Sequence, residues 1–93
     1  MGLFFSDPIK PRVSRLEWPK VRTSLFDRGF NKKEIDWVES FFQGDLNELA
    51  AKDVGIQGDE VERGIGWMRA NMGKHKLSDA KVSLLEGALR AKL

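Results

Sequence analysis

The stretch Phe30–Gly44, FNKKEIDWVESFFQG, decides how this chain folds. Asn31 is a good N-cap, because its side-chain oxygen accepts an amide hydrogen that the first helical turn leaves without a partner. Glu34, three residues on, can close a capping box, and Phe30 and Ile35 stand at the two positions of a hydrophobic staple. Ile35, Val38, Phe41 and Phe42 share one helical face, and Gly44 suits the left-handed turn that ends a helix. The spacing predicts an amphipathic helix, with Trp37 beside the apolar stripe rather than at its centre.

The same signals recur on either side. Upstream, a helix is expected to start between Ser14 and Pro19, either from a Ser14–Glu17 box or at Trp18 with Pro19 in the first turn. Its inward face is read as Trp18, Val21, Leu25 and Phe26, and Gly29 as its end. Residues 1–13, MGLFFSDPIKPRV, carry Pro8 and Pro11 and read as an extended arm, leaving residues 14–93 as one helical domain. Downstream, Asp45 and Glu48 predict a short helix ending near Lys52, with Gly55 as its stop. Asp59 with Glu62 caps the next helix, whose buried face is read as Val61, Ile65, Met68 and Met72, and whose end is Gly73. Gly64 and Gly66 inside it each cost about 1 kcal/mol relative to alanine, so this helix is expected to press its backbone against a neighbour. Leu77, Ser78 and Val82 repeat the staple and cap before a last helix with Val82, Leu85 and Leu89 inward.

The fold expected from these signals is all-α. It is a small bundle of two helix-turn-helix hairpins, four main helices and a short connecting one, with an extended N-terminal arm. An offset of 47 residues aligns the hairpins, placing Arg22 on Arg69, Asn31 on Ser78, Ile35 on Val82 and Glu39 on Glu86.

Composition narrows the function. Ninety-three residues with 41% hydrophobic and 32% charged content fit one ordinary globular domain. The absence of cysteine excludes a disulfide, a thiolate nucleophile and a cysteine-ligated zinc, and suits a reducing compartment. No apolar run approaches the roughly 20 residues that span a bilayer, and MGLFF lacks the pattern of a secretory signal. A cytoplasmic location is therefore expected. Charge is segregated: residues 1–33 carry eight Lys/Arg against three Asp/Glu, residues 34–62 one against nine, and residues 63–93 seven against two. An acidic middle between basic ends is expected to hold the halves of the fold together.

Specific chemistries fail on spacing. A calcium loop ending at Glu34 would need Thr23, Leu25 and Asp27 as ligands, with Arg28 in the glycine slot. Loops starting at Asp45 or Asp53 lack their final glutamate, since Ile56 and Gly64 stand there. Gly64-Ile65-Gly66 has Arg69 in place of a third glycine, and Gly73-Lys74 lacks both the earlier glycine and the following Ser/Thr of a phosphate loop. One histidine, His75, makes neither a zinc site nor a catalytic triad by itself. Asp36 and Glu39 read as a solvated pair on an exposed face. No enzyme, metal or cofactor is expected. The start Met-Gly-Leu-Phe-Phe-Ser fits a myristoylation pattern that six residues match often by chance, so a membrane is not the expected partner.

The function expected is a small non-catalytic protein-interaction or adaptor module, with Trp37, Trp67, Phe4 and Phe5 as its contact residues. The alternative is sequence-tolerant nucleic-acid binding through Arg69, Lys74, His75, Lys76 and Lys81, directed at phosphates and sensitive to salt.

Overall fold

The computed structural model describes residues 12–47 and 55–93. In chain order they form β1 (Arg12–Val13), α1 (Trp18–Asp27), α2 (Lys32–Phe41), α3 (Gln43–Leu46), β2 (Ile56–Gln57), α4 (Gly58–Ala70), a 3-10 turn (Met72–Lys74) and α5 (Asp79–Arg90). The protein is a small all-α bundle, as the helical periodicity predicts. α1 with α2 and α4 with α5 form the two hairpins, and α1 also packs on α5. No helix among the described residues is long and apolar enough to cross a membrane.

Local chemistry sets most helix ends. Asn31 Oδ1 accepts the Glu34 amide at 2.8 Å, and Glu34 Oε1 accepts the Asn31 amide at 2.9 Å, which completes the capping box. Ser78 Oγ accepts the Lys81 amide at 3.2 Å and caps α5. α1 ends in a Schellman turn: Phe30 N–H donates to Leu25 O and Gly29 N–H to Phe26 O, with Gly29 at a φ of 95°. α1 itself starts at Trp18, so Pro19 sits in the first turn, where it forfeits no helical bond. Ser14 instead closes a preceding turn, its carbonyl accepting from Glu17 and Trp18.

Among the described residues, the all-α plan has one β feature. Arg12 pairs with Gln57 and Val13 with Ile56 in an antiparallel bridge, and both apolar members are fully buried. Gly55 makes the bridge possible. Its φ is 103°, and a Cβ there would stand 2.6 Å from the Val13 carbonyl oxygen, so neither backbone nor space admits a side chain. The bridge anchors the end of the expected arm on the domain. Residues 1–11, including Phe4 and Phe5, lie outside the described residues.

Several expectations change. Gly44 does not end α2. Phe42 closes it with φ −97° and ψ 10°, near-helical values from which α3 follows at once, so Gly44 lies inside α3 with no left-handed residue between the helices. The short helix thus begins two residues ahead of Asp45, and its expected continuation past Asn47 falls outside the described residues. Gly73 sits in the 3-10 turn rather than ending α4, which stops at Ala70, with Asn71 Nδ2 donating to Trp67 O at 2.9 Å. The cap of α4 is Gln57 with Glu60, not Asp59 with Glu62. Because β2 fixes the chain up to Gln57, the helix starts directly after it, and Glu60 Oε1 accepts the Gln57 amide at 2.8 Å. Phe26 is 65% exposed: it lies about 100° round the helix from Leu25, and Phe30, past the Schellman turn, fills the core instead.

The core joins Val21 and Leu25 of α1, Ile35 and Val38 of α2, Val61, Ile65 and Met68 of α4, and Val82, Leu85 and Leu89 of α5, with Phe30, Phe42, Val13 and Ile56 between them. Polar contacts repeat at the 47-residue offset. Arg22 bonds Glu39 at 2.6 Å in one hairpin, and Arg69 bonds Glu86 at 3.1 Å in the other. Glu34 and Lys81 are themselves equivalent positions, and they meet, with Lys81 Nζ 2.9 Å from both carboxylate oxygens. This pair ties α2 of one hairpin to α5 of the other.

Candidate aromatic interaction site

A strip of aromatic rings fills the seam between α2 and α4, and its origin is a single close approach. Gly64 faces Phe42 and Phe41 so closely that a Cβ would fall 2.9 Å from Phe42 ring carbons and 3.0 Å from Phe41. Phe42 goes inward there and Phe41 turns toward the surface, their rings edge to face with centroids 5.0 Å apart. From Phe41 the strip spreads to Trp37, one turn earlier on α2, at 5.4 Å, and to Trp67 across the seam at 5.5 Å. His75, from the turn before α5, closes the group by stacking on Trp37 at 5.3 Å and approaching Trp67 at 6.2 Å.

His75 is held rather than offered. Its Nε2 lies 2.8 Å from the Met68 carbonyl, and its Nδ1 accepts the Leu77 amide at 3.2 Å, so the neutral tautomer with hydrogen on Nε2 satisfies both ring nitrogens. Trp67 is the opposite case, 40% exposed, while Trp37, Phe41 and His75 are half-buried.

Two concavities flank the rings. One, of about 500 Å³, is lined by Asn31, Lys33, Glu34, Trp37, Lys74, His75, Lys76 and Leu77. No carboxylate of the described residues pairs with Lys33, Lys74 or Lys76, all of which are exposed. Glu34 is already committed. Burial works against its ionisation, but bonds from the Asn31 amide and the Lys81 ammonium outweigh this and hold its carboxyl below the ordinary value. The other concavity, of about 340 Å³, is lined by Phe41, Phe42, Asp45, Glu60, Arg63, Gly64 and Trp67. Burial, then the neighbouring Asp45 carboxylate, push Glu60 up to about 7. Arg63 is drawn to Asp59, 3.4 Å away on its own helix.

The strip unites some of the residues singled out from sequence and leaves others aside. Trp37 and Trp67 stand in one cluster, bridged by Phe41 and His75. Lys74 and Lys76 rim its basic end. Arg69 points elsewhere, to Glu86 at 3.1 Å and Ser83 at 3.2 Å on α5, and Lys81 is spent on Glu34 above the Phe30 ring. Phe41, read as core, is half-buried at the centre of the strip. Lys33, Trp37, Phe41 and Asp45 recur every four residues, a spacing that puts Lys33 on the stripe of the two aromatic residues.

Asp36 and Glu39, read as a solvated pair, clamp α1 to α2 instead. Glu39 Oε1 accepts from the Trp18 indole at 2.7 Å and from Arg22 at 2.6 Å, and Asp36 accepts from Arg22 at 3.0 Å and Lys32 at 2.7 Å. The Trp18 bond first, then Arg22 against the cost of burial, hold Glu39 below its ordinary value. Lys32 first, then Arg22, do the same for Asp36. Among the described residues no group of three or more His, Asp or Glu side chains is arranged to hold a metal ion. No family model, no curated protein and no solved structure matches this chain.

Proposed function

We propose that this chain is a small non-catalytic module that acts in the cytoplasm by binding another protein through the aromatic strip. The observation that carries the reading is Trp67, 40% exposed beside Phe41, Trp37 and His75 and between two concavities. Exposed tryptophan set in a well-packed aromatic surround is the composition of an interface centre, because it buries a large area at small cost in side-chain entropy. The alternative, sequence-tolerant nucleic-acid binding, is favoured by Lys74 and Lys76 beside Trp37, with which no carboxylate of the described residues pairs. It is weakened by the engagement of Arg69, His75 and Lys81 within the fold.

Capture from a cell lysate on the immobilised chain, with and without nuclease, separates the two. The protein-binding reading expects a discrete protein that survives nuclease, is lost with Trp67→Ala and is weakened less by Lys74→Ala/Lys76→Ala. Material that disappears with nuclease and moderate salt, and depends on the lysines rather than on Trp67, would replace that reading with the nucleic-acid one.

A further inference from the structure

The strip carries opposite charge at its two ends. Lys33 near the start of α2 shares one concavity with Lys74 and Lys76, which follow α4, while Asp45 after α2 shares the other with Glu60 near the start of α4. The two helices therefore run antiparallel along the strip, with three lysines at one end, the rings of Trp37, Phe41, Trp67 and His75 in the middle and two carboxyl groups at the other. Among the described residues, the counter-charge in each lining already has a partner: Glu34 holds Lys81 and the Asn31 amide, and Arg63 lies 3.4 Å from Asp59.

A basic–aromatic–acidic surface is complementary to itself after rotation about a two-fold axis through its middle, the arrangement of an isologous dimer. We propose that a second copy of this chain docks on the strip, so that Phe41 and Trp67 of both copies meet near the axis and Lys33, Lys74 and Lys76 of each copy face Asp45 and Glu60 of the other. This rests on the reading of the strip as an interaction surface and names its occupant. A uniformly acidic peptide would match the lysines but place like charge against Asp45 and Glu60; a second copy matches both ends. It would also relieve the repulsion between Asp45 and Glu60 by supplying a lysine to each pair.

Sedimentation velocity on the full chain at low salt, over a concentration series, tests this. The weight-average mass is expected to rise toward twice 10.6 kDa for the wild type and to stay near 10.6 kDa for Trp67→Ala and for Lys74→Glu/Lys76→Glu. The lysine variant lies in an exposed turn, so it keeps the test decisive if Trp67→Ala unfolds by circular dichroism. Asp45→Lys/Glu60→Gln should also be monomeric alone, and mixing it with Lys74→Glu/Lys76→Glu should restore the doubled mass, since each then supplies the charge that the other lacks. A wild type that stays monomeric throughout, or a dimer indifferent to both Trp67→Ala and Lys74→Glu/Lys76→Glu, overturns the proposal. If the wild type is monomeric but Trp67→Ala still loses a captured foreign protein, the second copy is wrong and the interaction surface stands. If Trp67→Ala changes neither result, both are wrong.

Discussion

The two seams that join the hairpins, α1 against α5 and α2 against α4, are equivalent under the 47-residue offset, yet they are built differently. α1 and α5 come close along their backbones, and both send aliphatic side chains into the core, Val21 and Leu25 from α1 and Val82, Leu85 and Leu89 from α5. α2 and α4 approach less closely, and aromatic rings fill the gap. The substitutions responsible are readable at the offset: Trp37 corresponds to Leu84, Phe41 to Ala88 and Trp67 to Lys20. Both seams close on the same frame of caps, Arg–Glu bonds and core aliphatics. The aromatics are thus not a requirement of the frame, and their presence on one seam only is what singles that seam out.

The sharpest way to break the comparison is at Phe42, where frame and strip meet. Phe42→Ala is expected to cost about 3–5 kcal/mol in urea unfolding, because it empties a fully buried site that Gly64 was shaped to receive. A loss below about 1 kcal/mol would mean that the seam is not anchored there. Gly64→Ala and Gly66→Ala come next, as opposite outcomes from one chemical change. A methyl at Gly64 meets the Phe42 and Phe41 rings and should destabilise by about 1–3 kcal/mol. At Gly66 nothing lies within 4 Å, so the helix-propensity gain should stabilise by about 0.5–1 kcal/mol. Equal effects would contradict the close approach.

The clamps within the two hairpins should differ more modestly. Arg22→Ala removes bonds to Asp36 and Glu39 from a side chain 30% exposed and should cost about 1 kcal/mol, against about 0.5 kcal/mol for the more exposed Arg69→Ala. A double-mutant cycle with Glu39 and with Glu86 would measure each pair separately.

The acidic end of the strip yields a pH signature. Because Glu60 has a folded value of about 7, above its ordinary value of 4.5, its contribution to stability is fully present below the ordinary value and is lost as pH rises through about 7. Glu60→Gln keeps an acceptor for the Gln57 amide and removes the charge. Its melting temperature should match the wild type near pH 4 and exceed it at pH 8. A difference that does not change with pH would show that the Asp45–Glu60 pair does not repel.

How much of this was legible depended on the range of the interaction. Asn31, Glu34, Ser78, Gly29 and Phe30 act on atoms within a few residues, and their roles could be read directly. The need for close packing at one of the two α4 glycines was also legible, from its cost in helix propensity. Gly44 and Gly73 misled because a turn can be closed by Phe42 or Asn71 without a left-handed residue, and nothing local distinguishes the cases. Asp36 and Glu39 looked solvated because their partners, Trp18 and Arg22, lie on another helix.

The sequence by itself determined the all-α class, the main helices and most of the positions they bury, since periodicity and capping are properties of neighbouring residues. Only the tertiary structure decided that Trp37, Phe41, Trp67 and His75 form one surface, and that Arg69 and Lys81 are withdrawn from it. It also decided that Lys33, Lys74 and Lys76 on one side and the Asp45–Glu60 carboxyl pair on the other end up at opposite ends of the strip. Those facts depend on which faces of α2 and α4 meet, and a side chain's distance to a residue on another helix has no signature in local spacing.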